Sequence, residues 1–272
     1  MRYDGQVAVI TGAAGGIGGA TAHLLAERGA TVVLADLNGD GARDQAAKIG
    51  PSAWAAGCDT TDPDQVDGLF DTVVDRYGRI DLVFANAGWG SVGSVLDTSF
   101  DDWRRAFDVN VHGTFLTARA AAVRMVRHGT PGSIVVTSST GAVVPTAMMA
   151  AYCSAKASLN MLVAVMAYEL GAHDIRVNAV LPGVVSTPMT QAILAAGAED
   201  HVLSNVPLGR LGVPADVART VCYLLSDEAA YVTGTALVVD GGGAIPGAGW
   251  YTNDFRRRGA TTWRLQRSRG AR

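Results

Sequence analysis

Short apolar runs alternate with longer stretches of helical periodicity along most of this 272-residue chain. The runs predict seven strands, at 6–11, 31–35, 53–58, 80–85, 133–138, 175–180 and 237–240. The intervening stretches predict helices at 17–28, from about 39, and at 64–76, 99–127, 150–171 and 214–226. Because this alternation is typical of a parallel sheet covered on both faces, we predict one doubly wound α/β domain with right-handed crossovers.

Residues suited to ligand binding follow the predicted strands rather than precede them. They are Gly12, Asp36, Asp59, Asn86, Ser139 and Gly183. In open α/β sheets, ligands bind beyond the carboxyl ends of the strands. The pattern therefore predicts a binding crevice at that edge of the sheet.

A glycine-rich turn joins the first strand to the first helix, with Gly12, Gly15, Gly16 and Gly18. Glycines let backbone amides approach a pyrophosphate, and the helix N-terminus favours its negative charge. Asp36 follows about 20 residues later, as in dinucleotide-binding units.

The Asp36 carboxylate can accept both hydroxyl groups of an adenosine ribose and would repel a 2′-phosphate. Leu37 stands where a phosphate-binding site would favour Arg or Lys. We therefore predict NAD as cofactor, with NADP less favoured. A plain glycine turn, with Asp36 as a helix cap, is the alternative, although Asn38 and Asp40 are better placed to cap.

Tyr152 and Lys156 stand four residues apart in a predicted helix, so both side chains leave the same face. A nearby ammonium is expected to lower the pKa of the phenol toward the range useful in acid-base catalysis. Ser138 and Ser139 end a strand that precedes this helix. A hydroxyl, a phenol and a cation are thus predicted to converge, unless Tyr152 and Lys156 are ordinary helix residues.

Asn110 falls in the middle of the long helix predicted at 99–127. Because asparagine competes for backbone hydrogen bonds, its position indicates a local kink or an inward polar role. A tolerated interior asparagine is the alternative.

Composition narrows the possibilities further. The net charge is −3, but residues 250–272 carry seven Arg against Asp254, which is +6 there and leaves −9 for residues 1–249. We predict a domain at 1–245 and a flexible basic extension at 246–272. Nucleic acid is an unfavoured partner, and neither a signal peptide nor an 18-residue apolar run is recognised, so no membrane partner is expected.

The three cysteines, Cys58, Cys153 and Cys222, are far apart and form no Cys-x-x-Cys pair. We therefore expect no disulfide framework and no metal site. A reducing, cytoplasmic location fits this usage best.

The ordered motifs resemble the short-chain dehydrogenase/reductase family over about residues 5–243. They are Thr11-Gly12-Ala13-Ala14-Gly15-Gly16-Ile17-Gly18, Asn86-Ala87-Gly88, Asn110, Ser139, Tyr152 with Lys156, and Pro182-Gly183 with Thr187. The glycine spacing resembles the compact, single-domain members. Two features differ from the family pattern: Ala85 replaces the first Asn of an Asn-Asn-Ala-Gly run, and about thirty residues follow Gly242.

The resemblance implies a Rossmann-type fold and a nicotinamide-dependent oxidoreductase. It implies that Tyr152 is the general acid-base, Ser139 holds the substrate oxygen, Lys156 binds ribose and tunes Tyr152, and Asn110 positions a water. The implied cofactor-binding residues are Gly12, Gly15, Gly16, Ile17, Gly18, Asp36, Leu37, Asp59, Thr60, Asn86, Ala87, Gly88, Tyr152, Lys156, Pro182, Gly183, Val185 and Thr187. A homo-oligomer, dimer or tetramer, packed through the helices near 100–127 and 150–171 is also implied.

The substrate pocket is predicted to be uncharged, with Trp89, Val144, Met148 and Met189, and residues 184–213 are predicted to cover it. Such a lining favours a neutral alicyclic, steroid-like or aliphatic alcohol or ketone. A ketoreductase acting on carrier-bound acyl chains, with docking charge from Arg124 and Arg127, is one alternative. A non-catalytic dinucleotide sensor with a basic interaction tail is an alternative of another class.

Overall fold

A computed structural model describes residues 1–193 and 199–245. Its sheet has seven strands: β1 Val7–Thr11, β2 Thr31–Asp36, β3 Ala53–Gly57, β4 Leu82–Ala85, β5 Gly132–Thr137, β6 Ile175–Pro182 and β7 Ala236–Val239. All neighbours pair in parallel, in the order β3-β2-β1-β4-β5-β6-β7. The chain thus winds outward in both directions from β1 and β4, which confirms the predicted doubly wound, Rossmann-type fold.

Nine α-helices are described: α1 Gly16–Glu27, α2 Gly39–Ile49, α3 Pro63–Tyr77, α4 Phe100–Phe107, α5 Gly113–His128, α6 Ala150–Leu170, α7 Pro188–Ile193, α8 Glu199–Ser204 and α9 Pro214–Leu225. The core has two apolar layers, one on each face of the sheet. Val7 and Val9 of β1 belong to the layer beneath α3, α5 and α6. Ala8 and Ile10 belong to the layer beneath α1, α2 and α9. Alternate residues of one strand therefore serve opposite faces.

The predicted strands agree with the observed ones to within two residues, but the long helix predicted at 99–127 is not continuous. A π-helical segment, Asp108–His112, separates α4 from α5. Asn110 lies at its centre, fully buried, and its Nδ2 donates to the carbonyl oxygens of Ala106 at 2.8 Å and Trp89 at 2.7 Å. The predicted local kink or inward polar role is confirmed.

Helix α6 corrects the expectation that no apolar stretch is long enough to cross a membrane. With the turn that follows it, Ala150–His173 is long and apolar enough to cross a membrane by length and composition. Its residues Leu159 and Val163 are buried against the sheet, in the same layer as β6 residues Ile175 and Val177. Helix α6 is therefore a core helix of this domain.

The predicted cover at 184–213 contains α7 and α8, and residues 194–198 of it lie outside the described residues. The basic extension at 246–272 also lies outside them. Closure of the cover and flexibility of the extension stay predictions.

Candidate active site

A cavity of about 450 Å³ opens at the carboxyl ends of the strands. Most of the predicted site residues line it: Gly12, Gly15, Gly16, Ile17, Asp36, Asn86, Gly88, Asn110, Ser139, Tyr152, Lys156, Pro182, Gly183, Val185, Thr187 and Met189. The glycine turn and the Tyr-Lys pair, far apart in sequence, therefore share one cavity. Its position at the switch point between β1 and β4 is where doubly wound sheets bind ligands.

The glycine turn is shaped by close packing. Gly12 has φ +66°, and a Cβ atom there would lie 2.9 Å from Ala87 Cα. A Cβ atom at Gly18 would lie 2.2 Å from the carbonyl oxygen of Gly12. Gly18 and Ala87 do not line the cavity, so their contribution is to pack the turn.

Gly15 is different, because a Cβ atom there would meet nothing within 4 Å and its φ of 173° is open to any residue. The protein's own packing does not require glycine at this position. No side chain caps the first turn of α1, so its amide groups remain available to an anion. Free backbone amides at the start of α1, beside a turn without bulky side chains, are suited to binding the pyrophosphate of a dinucleotide.

The Asp36 carboxylate is fixed by two backbone amides. Its Oδ2 accepts from the Ala14 amide at 2.9 Å, and its Oδ1 accepts from the Asn38 amide at 2.8 Å. Asn38 caps α2 by accepting from the Gly41 amide at 3.0 Å. Asp36 is therefore not the cap of that helix, and it faces the cavity.

Three other residues predicted to bind the cofactor do not line the cavity. Leu37 is 76% exposed. Asp59 uses its Oδ1 to accept from the Thr61 amide and hydroxyl, at 2.9 and 2.8 Å. Thr60 is buried against Gly113, and a Cβ atom at position 113 would lie 2.7 Å from Thr60 Oγ1.

Tyr152 projects from the first turn of α6 toward Ser139, which follows β5. Burial raises the pKa of the Tyr152 hydroxyl; a hydrogen bond with Ser139 opposes that rise, and the Cys153 thiol adds to it. The Ser139 Oγ also accepts from the Gly141 amide at 3.0 Å. The expected lowering of the tyrosine pKa is therefore not found in this structure, because desolvation outweighs the favourable contact.

The surroundings of Lys156 explain why its charge does not lower the pKa of Tyr152. Its side chain is almost completely buried, and Nζ donates to the Thr137 carbonyl oxygen at 2.7 Å. Burial lowers the pKa of Lys156 to about 7, so near neutrality the lysine is itself only partly charged. Its Nζ lies 5.8 Å from the centroid of the Tyr152 ring.

Asn110 reaches the cavity through the π-helical segment. Its Oδ1 accepts from the Trp89 amide at 3.2 Å, so both polar atoms of its side chain hold the segment after β4. A glycine follows at position 90, where a Cβ atom would lie 3.5 Å from Tyr152 Cδ2 and 3.9 Å from Met189 Sδ. The absence of a side chain there leaves space beside the phenol ring.

Of the predicted substrate residues, Met189 lines the cavity, whereas Trp89, Val144 and Met148 do not. The guanidinium of Arg105 lies 4.8 Å from the centroid of the Trp89 ring. Val144 is 39% and Met148 49% exposed. Met148 has φ +66°, unusual for a non-glycine residue, and its carbonyl oxygen accepts from the Gly93 amide at 2.8 Å.

Other lining residues were not predicted as site residues: Ala14, Asn38, Thr137, Ser138, Pro188 and Thr190. Thr137 and Ser138 carried a sequence signal, since both stand at the end of a strand whose next residue is Ser139. The other four residues reach the cavity because of the way the surrounding turns fold, which the sequence pattern does not indicate.

Comparison with known proteins agrees with this geometry. A family model described as enoyl-(acyl carrier protein) reductase matches residues 12–243. The 7α-hydroxysteroid dehydrogenase of Escherichia coli (strain K12) is 36% identical over 246 residues, which are 89% of this chain and 96% of that protein. The chain belongs to the short-chain dehydrogenase/reductase family.

Two further similarities show the breadth of this family. The L-rhamnose 1-dehydrogenase (NAD(P)(+)) of Sphingomonas sp. (strain SKA58) is 39% identical over 244 residues, 88% of this chain and 96% of that protein. The crystal structure of 3-ketoacyl-(acyl-carrier-protein) reductase from Brucella melitensis complexed with NADH superposes with a TM-score of 0.85 at 32% identity, covering 90% of this chain and 100% of that one. As a short-chain dehydrogenase/reductase, the protein is an oxidoreductase of a nicotinamide-binding family.

Proposed function

We propose that the protein is an NAD-dependent oxidoreductase that interconverts a neutral, largely apolar secondary alcohol and its ketone. One observation carries the proposal: Ser139, Tyr152 and Lys156 line the same cavity as the glycine turn and Asp36. A site built only to hold a nucleotide would have no need of the Ser139 hydroxyl and the Tyr152 phenol beside the lysine. This argues against the alternative of a non-catalytic dinucleotide sensor.

The nicotinamide supplies the redox chemistry, accepting or giving a hydride when bound. We assign the proton transfer to Tyr152, whose Oη as the phenolate takes the hydroxyl proton of the alcohol during oxidation and as the phenol returns it during reduction. Ser139 steadies the substrate oxygen and orients the phenol. Lys156 contributes positive charge and a ribose contact, and Asn110 positions a water on the proton path.

The cofactor would be held along the cavity by the predicted lining residues, from the glycine turn to Pro182, Gly183, Val185 and Thr187. Asp36 supports NAD over NADP, because its carboxylate faces the cavity and would repel a 2′-phosphate. Leu37 offers no opposing positive charge. Because the side chains of Asp59 and Thr60 do not line the cavity, these residues would contact the adenine through main-chain groups or after their side chains rearrange.

The names of the relatives do not choose the substrate, since one refers to a steroid and another to a sugar. The uncharged side chain of Met189, which lines the cavity, supports the apolar class. Val144 and Met148 are half-exposed apolar residues outside the lining. For a carrier-bound acyl chain, Arg124 offers little, because it is buried and paired with Asp67 and Asp71 at 3.0 and 2.7 Å.

We further propose a homo-oligomer and a cytoplasmic location. The outer faces of α5 and α6 expose Phe115, Met161 and Tyr168, apolar area that a second copy would cover. Cys58, Cys153 and Cys222 are all free, which suits a reducing compartment. Sedimentation of the purified protein tests the first proposal.

The direct test is a screen of neutral cyclic, steroidal and aliphatic alcohols with NAD and with NADP, followed by absorbance of the reduced coenzyme. The proposal expects turnover of apolar secondary alcohols with NAD. Turnover confined to sugars would overturn the substrate class. Binding of NADH without turnover of any alcohol or ketone would favour the sensor.

A further inference from the structure

We infer that Thr137 is a positioning residue that ties Lys156 to the glycine turn through Asn86. The inference rests on the proposed function and adds a residue to it. Thr137 is the last residue of β5 and lines the cavity. Its backbone and its side chain bond to different parts of the site.

The backbone bond is to the lysine. The carbonyl oxygen of Thr137 accepts from Lys156 Nζ at 2.7 Å, the hydrogen bond that fixes the buried amine. This bond depends on the course of the strand and not on the type of side chain. Any substitution that preserves the strand therefore leaves it in place.

The side-chain bond is to Asn86. The hydroxyl of Thr137 donates to Asn86 Oδ1 at 3.0 Å. On its other side, Asn86 Nδ2 donates to the carbonyl oxygens of Thr11 at 3.2 Å and Gly12 at 3.1 Å. A continuous path of hydrogen bonds thus runs from Lys156 through Thr137 and Asn86 to Gly12.

Thr11 holds Asn86 in a complementary way. Its Oγ1 accepts from the amide of Asn86 at 3.0 Å and from the amide of Ala87 at 3.3 Å. Because β4 lies between β1 and β5, the end of β4 is bonded to both neighbours by a threonine hydroxyl. Thr11 fixes the backbone of Asn86, whereas Thr137 fixes the orientation of its amide side chain.

The amide orientation matters because the glycine turn rests on it. A Cβ atom at Gly12 would lie 2.9 Å, and one at Gly18 2.8 Å, from Asn86 Nδ2. Without the Thr137 hydroxyl, Asn86 Oδ1 loses the one donor that the described residues give it. The turn is then less preorganised, so the binding free energy of a ligand at its amides is reduced by the cost of ordering the turn.

Thr137→Val keeps the shape and removes the hydroxyl, and Thr137→Ser restores a hydroxyl without the methyl group. For Thr137→Val we expect NADH binding about tenfold weaker, as for the loss of one hydrogen bond to a half-buried acceptor. The KM for NAD should rise by a larger factor than the turnover number falls, because the carbonyl oxygen that holds Lys156 is retained. Thr137→Ser should bind NADH within about twofold of wild type.

Thr117→Val is the matched control, because the buried Thr117 hydroxyl donates to the Gly113 carbonyl oxygen at 2.8 Å within α5, outside the cavity. It should lower thermal stability without changing NADH affinity. If Thr137→Val does not fold, Thr137→Ala removes the hydroxyl without adding a methyl group.

Fluorescence titration with NADH and steady-state kinetics separate the outcomes. Thr137→Val with wild-type NADH affinity, or Thr137→Ser as weak as Thr137→Val, would overturn the inference. A wild-type protein that binds NADH but turns over no substrate would refute the proposed function, and the affinity comparison would still decide the role of Thr137. A wild-type protein that does not bind NADH would overturn both.

Discussion

Lys156 lies with its Nζ 5.8 Å from the centroid of the Tyr152 ring, and burial moves the pKa values of the two groups in opposite directions. Burial raises the tyrosine pKa and lowers the lysine pKa to about 7. Both shifts favour the neutral form. Burial therefore lowers the charge that either group carries near neutral pH, and positive charge brought into the cavity would favour the phenolate.

Tyr152→Phe tests the proton-transfer role directly. Removal of the hydroxyl should lower turnover by a factor of about 10² to 10⁴, the usual contribution of general acid-base catalysis. NADH affinity should change little, since the ring and Lys156 remain. Steady-state rates and a fluorescence titration provide the measurement, with Tyr168→Phe, at a 92% exposed tyrosine of the same helix, as control. A Tyr152→Phe variant that keeps most of its activity would refute the assignment.

The buried lysine should make stability depend on pH. The folded-state pKa of Lys156 is about 7 against an ordinary 10.5, so between these values the unfolded chain binds more protons. Wild-type stability should therefore rise with pH through this window and be lowest below it. Lys156→Met lacks this dependence, so its melting temperature relative to wild type should fall by roughly 5 °C between pH 6.5 and pH 9.

Thermal melts across that range provide the measurement. Lys48→Met, at an exposed lysine of α2, is the control. A pH-independent difference for Lys156→Met would show that burial does not perturb this lysine.

Asp36→Asn tests the cofactor preference. The change removes the negative charge and one of the two amide contacts made by the carboxylate, with Ala14 or with Asn38. NADH binding should weaken about tenfold and NADPH binding should improve, since the repulsion of the 2′-phosphate is gone. Titration with both coenzymes measures the ratio, and Asp40→Asn, at a more exposed carboxylate in α2, should leave it unchanged. A ratio unaffected by Asp36→Asn would contradict the assignment.

Met148→Asp tests whether the segment before α6 contributes to an apolar substrate site. Aspartate tolerates the positive φ of 66° better than most residues, so the fold should be retained. We expect kcat/KM for an apolar alcohol to fall about tenfold, as expected for a charge placed in an apolar contact, with NADH affinity unchanged. Tyr231→Asp, at a fully exposed position, is the control. Unchanged kinetics would place Met148 outside the substrate path.

Deletion of residues 246–272 tests the predicted domain boundary. The family model ends at residue 243, before the extension, and the lining residues that the described part of the chain supplies include all of the proposed catalytic side chains. Turnover and NADH affinity should therefore stay within about twofold of the full chain. A large loss of turnover would show that the extension belongs to the catalytic unit.

The sheet was predictable because each strand is an apolar run that ends at a polar or glycine residue, and the strand ends converge in any parallel sheet. The same reasoning placed Asp36, Asn86 and Ser139 together. The convergence of Tyr152 on Ser139 was predicted separately from the Tyr-Lys spacing, and the role of Asn110 came from the family resemblance. Asn110 also carried its own signal, as a poor helix former in the middle of a long helix.

Other features depend on three-dimensional packing that no spacing rule contains. The sequence offers a lysine one turn from a tyrosine, but only burial shows that the lysine loses charge. Asp59 follows a strand as Asp36 does, yet its carboxylate is turned to Thr61. Thr137 acquires its importance from a contact with Asn86, 51 positions away.

At Gly15, selection for folding and selection for turnover should accept different residues, although at most positions they accept the same ones. A mutant library sorted for folded protein should accept alanine at position 15, where a Cβ atom meets only open space, and reject it at position 18, where one would meet the Gly12 oxygen at 2.2 Å. Sorted for turnover, the same library should reject both. The difference between the two sorted populations would mark the volume that the coenzyme occupies.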